Sequence, residues 1–217
     1  MPTKNRLHLR SGWVIYTVLF VLLALSLYLN LAANNFPLSF HFDEVNKIGC
    51  IKNNTQDFLH PVLILKLGKA FSALAGAVSV DEISVAARTS TAILGTLLCG
   101  FTFLLARTFL SAGYAFLATA LTALSPGIVV HSHFIKEDIA RSCFPVASLL
   151  FCIYFIESSF LSEKSVLRQP SAARQHSFTL LWGLTLGFAV SSKYTALPAV
   201  IYFSLLPMVV LGIGVCA

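Results

Sequence analysis

Long apolar runs separated by short polar clusters set the pattern of this chain. Trp13–Ala33 runs without a charge behind a basic flank of Lys4, Arg6 and Arg10. At about 20 residues it is long enough to cross a hydrocarbon core of about 30 Å as a helix. A basic flank before an apolar run also begins a signal peptide. The length of this run, its Leu-Ala-Ala-Asn-Asn ending and the further apolar runs behind it favour a retained first helix with a cytoplasmic amino terminus. Thr89–Ala106, between Arg88 and Arg107, is the next uncharged run, and Tyr114–Val130 follows, interrupted near its end by Ser125–Pro126. Ser142–Ile156, Phe178–Ser192 and Tyr194–Ala217 complete the series, with Lys193 separating the last two and a polar loop over Glu157–Ser177. The pattern predicts an all-α, polytopic transmembrane bundle of about six spans, forming one module over residues 1–217.

The first loop is unusual. Within Asn34–Glu82, the stretch Pro61–Ala77 is apolar except for Lys66, Lys69 and Ser72, which recur every third residue and share one side of a helix. The expectation is an amphipathic helix lying in the membrane interface, its lysines toward headgroups or a phosphate. A short membrane-spanning helix is the plainer alternative, at the cost of carrying two lysines into lipid.

Composition supports the membrane reading. Of 217 residues, 57% are hydrophobic and 11% charged. A soluble domain usually carries about 25% charged residues. The net charge of +6 sits mostly at the ends of apolar runs, where it meets lipid headgroups. No basic face with interleaved aromatics is present, so nucleic acid is not an expected partner. Of the five cysteines, Cys99, Cys143, Cys152 and Cys216 lie in apolar runs and only Cys50 in a polar loop. No disulfide framework and no zinc spacing is implied.

Charge sets the orientation weakly. With the amino terminus inside, Lys4, Arg6, Arg10, Arg107, Lys164, Arg168 and Arg174 face the cytoplasm. Lys47, Lys52, Lys66, Lys69, Lys136, Arg141 and Lys193 face out, an equal number. Loop length and the amino-terminal cluster break the tie. That topology puts two acidic clusters on the same outer face, Asp43–Glu44 and Glu137–Asp138.

Those clusters are the candidates for chemistry. Adjacent acids on an extended loop diverge, so one of Asp43 and Glu44 can face a pocket while the other pairs with a base. A carboxylate beside a low-dielectric membrane suits general-base work, although a solvated surface pair would read the same way. Glu137 and Asp138 open another span, where the helix dipole favours acids. His131, His133, Lys136 and Arg141 make that cluster denser than capping requires. His131-x-His133 with nearby acids does not define a tetrahedral or octahedral ligand set, and no metal is expected. His60, Lys66, Lys69, Arg88 and Lys193 are candidate partners for a lipid-linked phosphate, or else basic side chains that snorkel to headgroups. Asn53-Asn54-Thr55 fits a glycosylation sequon, a common pattern.

Five segments, in this order, carry a resemblance: FHFDE, FLHPVLILKLGKAF, AARTSTAILGTLL, ALSPGIVVHSHFIKED and WGLTLGFAVSSKYTALP. The chain resembles the amino-terminal half of the membrane-embedded C-type glycosyltransferases. It is most similar to protein O-mannosyltransferases and bacterial polyprenyl-phosphate-dependent glycosyltransferases of the family 39 type. The resemblance implies transfer of a sugar from a polyprenyl- or dolichyl-phosphate carrier to a hydroxyl of a protein, lipid or glycan, with inversion, on the non-cytoplasmic face. It places a general base in the first outer loop, at Asp43 with Glu44 beside it, and a second acid at Asp138. It puts His60 near the carrier phosphate; Lys66, Glu137, Arg141 and Lys193, read from the residues themselves, are the further substrate-binding candidates. A phosphate leaving group needs cations more than a proton donor, so no cofactor is expected beyond the donor itself. Short loops and the nearer likeness to the bacterial branch imply a multi-pass protein of a bacterial inner membrane. Relatives are usually longer, and the chain stops inside an apolar run, so truncation at the carboxyl end is also an expectation. The competing readings are a small transporter or channel subunit, whose charges would lie inside spans and in repeated halves, and an inactive fragment of the transferase.

Overall fold

A computed structural model describes residues 4–37, 41–56, 62–160 and 172–216. All regular structure among them is helical: α1 (Lys4–Leu31), α2 (Phe42–Asn53), α3 (Val62–Leu74), α4 (Val80–Phe109), α5 (Ala112–Ala123), α6 (Pro126–Ser132), α7 (Glu137–Phe160), α8 (Ala172–Ser192) and α9 (Leu197–Cys216). A 3-10 turn, Tyr194–Ala196, joins the last two. The chain is an all-α membrane bundle. Gly12–Leu31, Val80–Phe109 and Glu137–Ser159 are long and apolar enough to cross a bilayer among the described residues.

The bent pair α5–α6 makes a fourth if it counts as one span, its two parts diverging by 53°. Tyr114–Val130, which the apolar pattern joins into one run, is therefore broken. Pro126 stands at the first position of α6 and its predecessor Ser125 is extended, with ψ 119°, as the ring of a following proline requires. Phe178–Ser192 lies within α8, which does not reach the apolarity of the other spans, and Tyr194–Pro207 is a shorter apolar segment that continues into α9. Arg174, Gln175 and His176 lie in the opening turns of α8, leaving a short apolar remainder, so the described residues carry fewer clear spans than the six the pattern suggests.

α4 is the axis of the bundle. Its start is defined by a capping box: Ser79 Oγ accepts from Glu82 N at 3.2 Å, and Glu82 Oε2 accepts from Ser79 N and Val78 N, each at 2.9 Å. The helix packs against α1, α3, α5, α6 and α7. Its amino-terminal turns carry Arg88 at full burial, where the sequence pattern places that residue at the edge of a span.

α1 meets α4 through polar residues. Trp13, Tyr16, Phe20 and Tyr28 are exposed, while Ser26, Asn30 and Asn34 are buried at four-residue spacing. Asn30 Nδ2 donates to Ala92 O and Thr96 Oγ1, each at 3.4 Å, and Ser26 Oγ lies 3.4 Å from Cys99 Sγ. In lipid, exposed apolar side chains lose nothing, so helices associate through close backbone approach and polar contacts. Gly95 provides that approach. A Cβ there would collide with Ser132 Oγ and stand 2.9 Å from Asn30 Nδ2 and 3.2 Å from Ser132 Cβ. Rotating the serine hydroxyl does not clear its Cβ. Gly95→Ala should therefore cost about 1–3 kcal/mol of overpacking, seen as a lower unfolding midpoint in a denaturing-detergent titration; an unchanged midpoint would show that the α1–α4–α6 junction yields freely.

α7 and α8 close the bundle through a ladder of rings, with centroid separations of 5.2 Å for Phe144–Phe188, 5.4 Å for Tyr154–Phe178 and 5.8 Å for the stacked Phe155–Trp182.

Candidate active site

Asp43 and Glu44 lie on a helix rather than on an extended loop. His41 is the N-cap of α2, its Nδ1 accepting from Asp43 N at 3.3 Å, and both acids fall in the first turn, where the dipole favours them. Neighbours on a helix point about 100° apart, so the two carboxylates still diverge, through helical geometry in place of the alternation of an extended strand.

Their environments are opposite. Glu44 is fully buried. Arg88 grips it in a fork, Nε to Oε1 at 3.1 Å and Nη2 to Oε2 at 2.6 Å, and Ile135 N donates to Oε1 at 2.8 Å. Arg88 Nη1 also donates to Asn34 O at 3.0 Å and Phe36 O at 2.7 Å, and the guanidinium carbon stacks 3.7 Å above the Phe36 ring. One buried ion pair thus ties the end of α1, α2, α4 and the turn before α7. Arg88 is fully buried and directs four of its five N–H groups to protein partners, so its place among the phosphate candidates is corrected: it holds the fold together. Asp43 is half-buried, and among the described residues no hydrogen bond or ion pair engages its carboxylate.

One turn further along α2 stands Lys47, 1% exposed. It donates to Ile135 O at 3.0 Å and to Glu137 Oε2 at 2.6 Å. The other oxygen of Glu137 lies 4.0 Å from Lys193 Nζ, which donates to Asp138 Oδ1 at 2.8 Å. Lys193 reaches this position because the chain breaks between α8 and the 3-10 turn: its backbone is extended, with φ −165° and ψ 134°. The Lys193–Asp138 pair is about one-third exposed on each side. A line of charge thus runs from α2 through the start of α7 to the end of α8, with the open carboxylate of Asp43 at one end and a reachable ammonium at the other.

The remaining candidates are scattered. Arg141 is exposed one turn beyond Asp138, with no partner among the described residues. Lys66 is exposed on α3 and lines a separate cavity with Asn54 and Lys69. His60 lies outside the described residues. His133 sets its ring nitrogens 2.7 Å from Val129 O and 2.8 Å from Ala32 O, so it clasps α6 to the end of α1. His131 carries a buried Nδ1 with no hydrogen-bond partner among the described residues. Among the described residues no group of three or more His, Cys, Asp or Glu converges as metal ligands would. Lys47 is the residue that sequence reasoning passes over. Its signal is present in the chain: it follows Asp43 by four, on the same helical face.

An apolar groove opens beside this cluster, lined by Ala32, Ala33, Phe36, Val129, His133 and Phe134, with a volume of about 480 Å³. The Phe134 ring touches both Phe36 and the cap residue His41, at centroid distances of 5.3 and 5.0 Å. The groove therefore abuts the turn that carries Asp43.

Against known families, the model for dolichyl-phosphate-mannose-protein mannosyltransferases matches residues 70–213. The matched stretch runs from within α3 through most of α9 and includes Arg88, Glu137, Asp138 and Lys193; α2, with Asp43, Glu44 and Lys47, precedes it. No curated protein and no solved structure matches the chain.

Proposed function

The chain belongs to the dolichyl-phosphate-mannose-protein mannosyltransferase family, and on that premise we propose that it transfers a sugar from a polyprenyl- or dolichyl-phosphate carrier to an acceptor hydroxyl, with Asp43 as general base. The observation that carries this reading is the contrast between neighbours. Glu44 is buried and locked by Arg88, whereas Asp43 beside it is half-buried and unengaged among the described residues. A base must be free to accept a proton and near an accessible surface; of the two, Asp43 has both properties, and Glu44 acts as the residue that holds α2 in place.

In the proposed reaction the acceptor oxygen loses its proton to Asp43 and attacks the anomeric carbon. The bond from that carbon to the phosphate oxygen breaks, and its electron pair leaves with the carrier phosphate. Attack on the face opposite the leaving group inverts the centre. The phosphate keeps its negative charge, so it needs fixed cations rather than a proton donor. Lys193 supplies one, its ammonium held by Asp138, with Arg141 nearby on α7; the reading assigns no metal or other cofactor. Lys47 and Glu137 are positioning residues that set the separation of Asp43 from Lys193. The acceptor is a protein, lipid or glycan hydroxyl. The site faces the non-cytoplasmic side of a bacterial inner membrane, with the amino terminus in the cytoplasm, on the strength of the amino-terminal cations and the short loops.

The test is turnover of radiolabelled polyprenyl-phosphate sugar by membranes holding the full chain, with Asp43→Asn alongside. Asp43-dependent loss of sugar from the carrier supports the reading; loss that is indifferent to Asp43 overturns the assignment of the base. Lys193→Met separates binding from chemistry. Removing a charge-assisted contact to the donor phosphate should raise the donor KM by on the order of tenfold, and an unchanged KM and kcat would exclude Lys193 from the phosphate site.

A further inference from the structure

We propose that the cavity between the end of α2 and the start of α3 is an anion site for a phosphate ester, separate from the Asp43–Lys193 cluster. The cavity has a volume of about 180 Å³ and is lined by Asn54, Thr55, Gln56, Val62, Lys66 and Lys69 among others. Among the described residues that line it there are two ammonium groups and no acid. Lys69 Nζ donates to Asn54 Oδ1, which draws its ammonium across the gap between the helices. Lys66 stands one turn earlier on the same face of α3.

The backbone supports the same charge preference. Asn54 ends α2 in the left-handed conformation, φ 54°. Its N–H and that of Thr55 both donate to Cys50 O, which fixes the turn that carries Asn54 and Thr55 into the wall. Val62, in the wall, is the first residue of the 13-residue helix α3, so the positive end of that helix dipole borders the space. The two helices that carry the walls are fixed to each other: a Cβ on Gly68 would stand 2.7 Å from Ile51 Cδ1 and 3.1 Å from Ala87 Cβ, so α3 rests closely against α2 and α4.

The site is remote from the proposed chemistry. Asn54, the cap of α2, lies eleven residues from Asp43, roughly 16 Å at the rise of an α-helix. Lys66 is thereby placed at a different anion site from Lys193. The phosphate ester has two sources, a bilayer lipid headgroup or a soluble phosphate compound. The lipid source is consistent with the far end of α3 and the turn after it, where Leu74 is 84% and Val78 79% exposed: a helix that ends in outward apolar groups and carries lysines along one side suits the interface, at the depth of headgroup phosphates.

Binding reads this site independently of the proposed reaction. Full-length protein in an uncharged detergent would be titrated with soluble short-chain phosphatidylglycerol, with short-chain phosphatidylcholine and with inorganic phosphate. Saturable binding of phosphatidylglycerol is expected, weaker by on the order of tenfold or more in Lys66→Ala/Lys69→Ala, kept in Lys66→Arg/Lys69→Arg and kept in Lys193→Met. Competition by inorganic phosphate at the same lysines would identify the phosphate group alone as the ligand; its failure to compete would identify the lipid headgroup. Equal affinity in the double alanine variant, or loss in Lys193→Met instead, would overturn the proposal. Both lysines are exposed, so the unfolding midpoint of each variant should match the parent, which shows that a loss of binding is not a loss of fold.

Discussion

Asp43→Asn should lower sugar transfer by about 10²–10⁴-fold, the range over which a positioned general base accelerates a reaction, while leaving the protein as stable as the parent. The stability half of this expectation follows from the site. The carboxylate is half-buried and no hydrogen bond or ion pair among the described residues engages it, so an isosteric amide breaks no contact, and surface substitutions of that kind stay within about 0.5 kcal/mol. The N-cap contact from Asp43 N to His41 is made by backbone and survives. Asparagine keeps the shape and loses the ability to take a proton, so the fall should appear in kcat with the donor KM nearly unchanged. A variant that transfers sugar within a few-fold of the parent would remove Asp43 from the role of base. A variant that loses both activity and stability would make Asp43 a structural residue instead.

The sequence exposes some of this arrangement and hides the rest. The helical membrane class is legible because a soluble chain does not repeat uncharged apolar runs of spanning length. The two acidic clusters are legible as candidates because charges are scarce in such a chain. Which acid of a pair is open is not legible: Asp43 and Glu44 differ by one position, and only the tertiary partner Arg88, 44 residues from Glu44, distinguishes them. Arg88 itself reads as a cation at the edge of an apolar run, yet it is buried inside a helix that begins eight residues earlier, at Val80. Hydropathy finds the uncharged part of a helix, and the capping box Ser79–Glu82 is the better guide to its start. The break at Ser125–Pro126 is visible in the chain, but its 53° consequence depends on how α6 packs. The packing face of α1 shows the limit most clearly. A search for apolar faces passes over Ser26 and Asn30, because in lipid the polar stripe is the side that seeks a partner.

The second large effect belongs to the Glu44–Arg88 pair, and it separates a positioning role from a chemical one. Arg88→Met should destabilise the protein by about 3–5 kcal/mol, the cost of leaving one charge of a buried pair without its partner. Glu44 would retain only the Ile135 N–H, and the carbonyls of Asn34 and Phe36 would lose their shared donor. A denaturing-detergent titration would report this as a large drop in midpoint. The double variant Glu44→Leu/Arg88→Met should recover much of the loss, because two apolar groups of similar volume need no desolvation of charge, although Ile135 N and the two carbonyls lose these partners. Transfer by the double variant is the informative measurement. If the ion pair serves only stability, a refolded core restores both midpoint and rate. The pair also fixes the first turn of α2, so the rate should stay depressed after stability returns, since Asp43 then lies on a turn no longer tied to α1, α4 and Ile135. Full recovery of rate with stability would show that Lys47 and its partner Glu137 suffice to hold Asp43 in register with Lys193.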